Sequence, residues 1–309
     1  MFNVDSHFEI GSSHKVCEDF AIHGSFESPS GEILYYGIVA DGCSSSMTQN
    51  GVRLPINVDT GARLLALIAK QAIKEIVPTL KEIDENLHHA LRNSILQKMD
   101  ILLRQLGLPI PAIDCTLLIN LVYGDQCLWV VWGDGIIVNN GSKNTIIEIV
   151  EFESGAPYYL SYALDKKRNE LYAQKFGGQK KIVRRIIIGE KDGIVVHENK
   201  YKYDEPFFAI CSFSGGIENG ALKFSIISDG AQSFQQVIEG QYEKRILPPE
   251  EALQKLINPK SMKGNFIGRV MNGLHRWEKK EGIDHYDDLA IASIVEIPIS
   301  KGEEDASSE

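Results

Sequence analysis

The chain has 309 residues, with 32 Lys and Arg against 42 Asp and Glu, a formal charge of −10. Hydrophobic residues make up 43% and charged residues 24%, an ordinary globular mixture that excludes wholesale disorder. The acidic balance argues against a general DNA or RNA binder, which needs a basic excess on at least one face.

The first apolar run of strand character is 33–40 (ILYYGIVA), preceded by the shorter 20–22 (FAI). Leu65, Ile68, Ala72 and Ile76 then form a helical stripe, with Asp59 as its cap and Pro78 as its break. From Asp84, the residues Leu87, Leu91, Ile95, Met99, Leu102 and Leu106 step by 4, 4, 4, 3 and 4, a second helical stripe that Gly107 and Pro109 stop. Two strands follow, 116–123 (TLLINLVY) and 127–132 (CLWVVW), joined by a turn at Gly124-Asp125. The stretch 140–206, which holds Gly177-Gly178, reads as hairpins with a mobile loop. Its basic cluster, Lys180, Lys181, Arg184 and Arg185, reads as a solvated face, with a loop that guides an acidic peptide as the alternative. Another strand, 222–227 (LKFSII), precedes a helix opened by Pro249, Glu250 and Glu251. Phe266, Val270, Leu274 and Trp277 mark the apolar face of the next helix, ended by Gly282, before a last strand at 289–297. The tail 300–309 (SKGEEDASSE) is polar and acidic and reads as disordered.

Strands and helical pairs arriving in blocks, with no linker and no repeat, predict an α+β fold rather than alternating βαβ units. The length allows one large domain or two average ones. Five cysteines without a CxxC pair point to a reducing compartment and away from a disulfide framework or a zinc–cysteine site. Cys17, Cys127 and Cys211 read as core residues, and His88-His89 as surface. The opening MFNVDSHFEIG has neither a basic n-region nor an apolar h-region. No run reaches the roughly 18 apolar residues of a membrane span. The expectation is therefore a cytoplasmic protein that engages neither membrane nor nucleic acid.

Chemistry concentrates where apolar runs end. Val39-Ala40 leads into Asp41-Gly42, Val131-Trp132-Gly133 into Asp134-Gly135, and Ile227-Ser228 into Asp229-Gly230. Two acidic pairs, Glu18-Asp19 and Asp287-Asp288, flank further apolar segments. A strand that ends in Asp sets a carboxylate at the rim of a sheet, and the following Gly permits a tight turn with close backbone approach. Asp-Gly is also a common turn, and Asp192-Gly193 reads as nothing more. If the strands share a core, the carboxylates converge, and converged carboxylates must protonate or take up a counter-ion. Oxygen donors without a His or Cys cluster favour Mg²⁺ or Mn²⁺ over Zn²⁺.

The set resembles the metal-dependent protein phosphatases of the 2C type, in particular the bacterial branch whose first motif begins Gly-x-Ser-His. The matching pieces, in family order, are GSSHKVCEDF from Gly11, VADGCSSS from Val39, DCTLLI from Asp114, WGDG from Trp132, SDG from Ser228 and DDLAIA from Asp287. The resemblance implies a four-layer α-β-β-α sandwich, two antiparallel sheets flanked by helical pairs, in a single domain over 1–299. It implies a phosphoserine/phosphothreonine protein phosphatase with a binuclear Mn²⁺ or Mg²⁺ centre. Asp41 would bridge the two ions, the Gly42 carbonyl would ligate one, and Asp229 and Asp287 would complete the other. Glu18 and Asp19 would act mainly through bound waters, and Asp134 matches the position of a third, weaker metal. The implied nucleophile is a metal-bound water, not a side chain.

Three positions depart from the family pattern. His14 stands where many members carry a phosphate-gripping Arg, and it lacks the bidentate fork. Cys43 stands where animal members carry a His acid, and it reads as a packed small residue. Asp-Cys-Thr replaces Gly-Thr-Thr, leaving Thr116 as the matching hydroxyl and Asp114 as structural. The missing Arg motivates an alternative, a weak or inactive module of the same fold that binds a partner or phosphopeptide. The chain shows no GxxxxGK loop and no DxDxT nucleophile, which ranks other phosphohydrolases last.

Overall fold

The computed structural model describes residues 1–43, 48–49, 52–53, 58–140, 144–189, 193–202, 206–213, 222–237 and 244–297. The first half contains β1 (Phe2–Glu9), β2 (Phe20–Glu27), β3 (Ile33–Gly42), the two-residue β4 (Thr48–Gln49) and β5 (Val52–Arg53), α1 (Val58–Ile76), α2 (Leu87–Leu106), β6 (Cys115–Tyr123), β7 (Gln126–Trp132), β8 (Gly135–Asn140) and β9 (Asn144–Phe152). The second half contains α3 (Lys166–Phe176), β10 (Lys180–Gly189), β11 (Gly193–Lys202), β12 (Phe207–Ser212), β13 (Lys223–Ile227), β14 (Phe234–Val237), β15 (Lys244–Ile246), α4 (Pro249–Leu256), α5 (Phe266–Glu281), β16 (Ile283–His285) and β17 (Leu289–Glu296).

Two antiparallel sheets carry the architecture. One has the order β12-β7-β6-β3-β2, the other β1-β17-β13-β8-β9-β10-β11. β6 is buried at all nine positions, so alternation between its two faces has no polar partner to reveal it. Ile38, Leu117, Ile119 and Leu121 face Leu65, Ala69 and Ile73 of α1 and Leu91, Ile95 and Met99 of α2. Their neighbours Val39, Leu118 and Val131 face Phe224, Ile226, Ala292 and Ile294 of the second sheet. The outer face of that sheet packs Ile136, Ile147 and Ile291 against Leu253, Leu256, Phe266, Val270 and Leu274 of α4 and α5. Three stacked cores between four layers give the predicted α-β-β-α sandwich. Each large apolar side chain so buried contributes about 1.5–3 kcal/mol.

Local chemistry sets the helix ends. Asp84 Oδ1 accepts the N–H groups of Asn86 and Leu87, each at 3.0 Å, at the start of α2. Asn265 Oδ1 accepts from Gly268 N–H at 2.7 Å, and Asp5 Oδ2 accepts from Ile267 N–H at 2.6 Å, which ties α5 to β1. The buried Asn120 donates from Nδ2 to the Phe224 carbonyl at 3.1 Å, a polar tie between the two sheets.

Several expectations change. α1 opens at Val58, so Asp59 lies inside the helix rather than capping it. The stretch expected to hold only hairpins and a loop contains α3, a polar helix on which Tyr172 is the buried side chain. His88 is buried, 3% exposed, because its ring stacks on Phe208 at 4.1 Å. The basic cluster is not uniformly solvated, since Lys181 is 2% exposed with its ammonium 5.5 Å from the Phe152 ring centroid. Cys127 is buried, whereas Cys17 and Cys211 are partly exposed. Asp192 and the tail 300–309 lie outside the described residues. No helix among the described residues is long and apolar enough to cross a membrane.

Candidate metal and phosphate site

Antiparallel register brings the acidic residues to one end of the sandwich. In the five-stranded sheet Phe20 pairs with Ala40, Asp41 with Thr116 and Leu117 with Trp132. The start of β2, the end of β3, the start of β6 and the end of β7 therefore share an edge. In the other sheet Ile227 pairs with Ile136 and Ile291, which sets the end of β13, the start of β8 and the start of β17 side by side. Asp19, Asp41 and Asp134 thus rim one sheet, and Asp229 and Asp287 rim the other.

The two rims meet. Glu18 N–H on one side donates to Asp288 Oδ2 on the other at 2.5 Å, and Asp19 and Asp41 both feel the charge of Asp229. Burial, with the charges of Asp229 and Asp288, pushes Asp19 up to about 8 against the lowering effect of Ser228 and Asp41. Burial also lifts Asp41 well above the carboxylate range, helped by the charges of Asp19, Asp229 and Asp134. Asp134 is raised well by burial and then by Asp229, Glu151 and Asp287. Asp287 is raised by burial and by Asp229, with His14 pulling the other way.

Backbone packing holds the loops that carry these groups. Gly11 abuts residue 287 so closely that an added Cβ would sit 2.2 Å from the Asp287 carbonyl carbon. A Cβ on Gly230 would lie 1.7 Å from the Asp288 carbonyl oxygen, so the turns bearing Asp229 and Asp287 touch backbone to backbone. Ser233 Oγ accepts from the N–H groups of Tyr286 at 3.1 Å and Asp287 at 3.0 Å, and donates to the Gly230 carbonyl at 2.7 Å. Gly42 N–H donates to the Glu18 carbonyl at 3.2 Å, which seats the first motif against the end of β3.

Asp288 organises the first motif, a role the sequence left unassigned. It is 2% exposed. Its Oδ1 accepts from Gly11 N–H at 2.8 Å and its Oδ2 from Glu18 N–H at 2.5 Å. His14 Nδ1 lies 2.9 Å from Asp288 Oδ2, off the line of a hydrogen bond, and Nε2 lies 3.5 Å from Asp287 Oδ1. Burial works against the charged imidazole, but Asp288, Asp287 and Glu18 outweigh it and raise its pKa. Tyr159 is a second residue the sequence did not single out. It is buried, with Cys43, Asp41 and Asp134 nearby, and burial raises its hydroxyl far above the usual range. The only signal for it was an aromatic run, APYYLSYAL from Ala156, inside a stretch read as loop. Asp114 is buried, accepts from Ser161 Oγ at 2.5 Å and pairs through both oxygens with Arg168.

Among the described residues, no three His, Cys, Asp or Glu side chains are gathered closely enough to hold a metal ion. The donors nonetheless fit a hard divalent cation in kind. They are oxygens, they are mutually repelling carboxylates, and the buried Asp19 Oδ2 and Thr116 Oγ1 have no hydrogen-bond partner.

The four-layer sandwich and its carboxylate rim are the architecture of a phosphoprotein phosphatase family. Residues 10–244, well over half the chain, match the sequence model of Protein phosphatase 2C, and the chain belongs to that family, whose members are metal-dependent. The match stops short of the segment that bears Asp287. No curated protein matches the chain. Among solved structures, the serine/threonine phosphatase Stp1 from Staphylococcus aureus is 13% identical, with 97% of this chain and 96% of that one covered at a TM-score of 0.49. The catalytic domain of the serine threonine protein phosphatase PstP, in complex with 2 manganese ions, is 13% identical, with 95% and 98% covered at 0.45. PppA, a regulatory component of T6SS in Pseudomonas aeruginosa, is 15% identical, with 95% and 96% covered at 0.45.

Proposed function

We propose that the chain hydrolyses phosphoserine and phosphothreonine in phosphorylated proteins, using two Mn²⁺ or Mg²⁺ ions and a third, weaker one. The observation that carries this reading is the meeting of the two rims, where Glu18 N–H donates to Asp288 Oδ2 at 2.5 Å and Asp19 and Asp41 both feel the charge of Asp229. Asp41, the Gly42 carbonyl, Asp229 and Asp287 would hold the first two ions. Glu18 and Asp19 would lie behind them, and Asp134 would serve the third. When bound, the ions supply Lewis acidity, lowering the pKa of a water and neutralising charge on the phosphoryl oxygens.

The side chains do the rest. His14, whose pKa Asp288 and Asp287 raise, would donate a ring N–H to a phosphoryl oxygen in place of the family Arg. Asp288 positions His14 and the loop of the first motif. Arg63 is turned toward the rings of Phe8 and Phe20, 5.5 and 5.0 Å from their centroids, and does not share that task. Cys43, beside Tyr159, stands where animal members carry a His.

The reading treats 1–299 as one domain, supported by three cores that share the two sheets. It places the protein in cytoplasmic signalling. With millimolar Mn²⁺, the protein should hydrolyse an aryl phosphate and a phosphothreonine peptide, and Asp41→Asn should remove both activities. An inert wild type across several phosphopeptides would reject the reading. The position of His14 favours one second reading, a weak or inactive module that binds a phosphopeptide. A wild type whose melting temperature ignores Mn²⁺ would favour it, since a ligand at 100 times its Kd adds about 2.7 kcal/mol.

A further inference from the structure

A cavity of about 370 Å³ opens beside the carboxylate rim. Trp132 and Gly133, the two residues before Asp134, form part of its wall, so cavity and rim are contiguous along β7. Opposite walls come from Arg92 on α2, Tyr158, Asn169 and Tyr172 in and before α3, and Lys181 on β10. Its chemistry is the reverse of the rim. None of the described lining residues is acidic, and two are cations. Arg92 has no carboxylate partner among the described residues. Trp132 is 5% exposed, and its buried Nε1–H has no acceptor. A buried donor left without an acceptor is uncommon and costs about 1–3 kcal/mol.

A chain with a formal charge of −10 repels an acidic peptide at long range. The cavity is the place where an acidic flank of such a peptide gains rather than loses. An extended peptide advances roughly 3.3 Å per residue, so a side chain one to three residues from the phosphoresidue can reach from the rim into an adjoining cavity. We propose that this cavity takes the carboxylate of an Asp or Glu flanking the phosphoresidue, making the enzyme selective for acidic phosphorylation sites. The proposal rests on the phosphatase reading for its substrate, but the pocket chemistry stands apart from turnover.

The test uses the full chain with Mn²⁺ and two phosphothreonine peptides. They differ only in carrying Glu or Gln at every position within three residues of the phosphothreonine. Wild type should show kcat/KM about three- to tenfold higher for the Glu peptide. Arg92→Gln should lose that preference, with the Gln peptide and an aryl phosphate turned over as before, and Arg92→Lys should keep part of it. Equal kcat/KM for the two peptides on wild type overturns the proposal, as does an Arg92→Gln variant that slows both peptides and the aryl phosphate alike. Fluorescence anisotropy binding of both peptides without metal separates this from failure of the phosphatase reading. Tighter, Arg92-dependent binding of the Glu peptide supports the cavity assignment even when nothing is hydrolysed. Free sulfate or citrate that displaces the Glu peptide at equal concentration overturns the peptide assignment in favour of a small-anion site.

Discussion

Removing the Arg168 side chain tests what ties α3 to the start of β6. Arg168 pairs through its fork with Asp114, which is 5% exposed, and its guanidinium carbon lies 4.5 Å from the Tyr162 ring centroid. Arg168→Ala leaves a buried carboxylate without its cation, a change that costs about 3–5 kcal/mol in a fully buried pair. The guanidinium is 17% exposed and Ser161 Oγ still donates to Asp114, so the expected loss at pH 8 is about 2–4 kcal/mol. The loss depends on pH with a fixed sign. Burial already raises Asp114 above its ordinary value of 3.8, against the lowering effect of Arg168 and Ser161, and removing Arg168 raises it further. A raised acid keeps its proton in the folded state while the unfolded chain releases it, so stability falls as pH rises. The gap between variant and wild type should therefore be small near pH 4.5 and widen toward pH 8. Urea denaturation followed by circular dichroism at both pH values measures it. A variant within 0.5 kcal/mol of wild type at pH 8, or one that loses more at pH 4.5, would refute the reasoning.

Other substitutions probe the rim and the cores. Asp41→Asn and Asp229→Asn should each cut Mn²⁺-dependent hydrolysis of an aryl phosphate by more than about 100-fold while the fold persists by circular dichroism. Gly230→Ala, whose Cβ would meet the Asp288 carbonyl at 1.7 Å, should force the two turns apart. A drop of about 2 kcal/mol or more in urea, with at least tenfold lower activity, is the expected result. Asp288→Asn should raise KM for phosphopeptides several-fold more than it lowers kcat, because His14 loses a charge partner 2.9 Å away. Leu91→Ala, at a fully buried position under α2, should cost about 2–5 kcal/mol without altering KM.

Where a signal was local and periodic, the sequence carried it to the structure. The stripe from Leu87 to Leu106 is α2 to the residue, and the run 116–123 is β6 but for Cys115. The Asp-Gly pairs sit at strand ends as the apolar runs before them indicate, and antiparallel register sets those of one sheet at a common edge. What stayed hidden is what depends on tertiary partners. α3, KKRNELYAQKF, buries Tyr172 and is otherwise polar, so no hydrophobic face announced it. His88 was unreadable for the same reason, since only the docking of Phe208 from β12 makes it core. Asp288 looked like the spare member of an acidic pair. Its work is hydrogen bonding to Gly11 and Glu18, residues more than 250 positions away, which no spacing rule can show.

The central claim is that carboxylates from both sheets hold divalent ions at one rim. Diffraction from crystals grown with Mn²⁺, read at the manganese absorption edge, tests it most directly. The account predicts paired anomalous peaks touching Asp41, with Asp229 and Asp287 on one of them, and loss of the pair in Asp41→Asn. Peaks elsewhere on the surface, or none at the rim when Mn²⁺ is saturating, would contradict it.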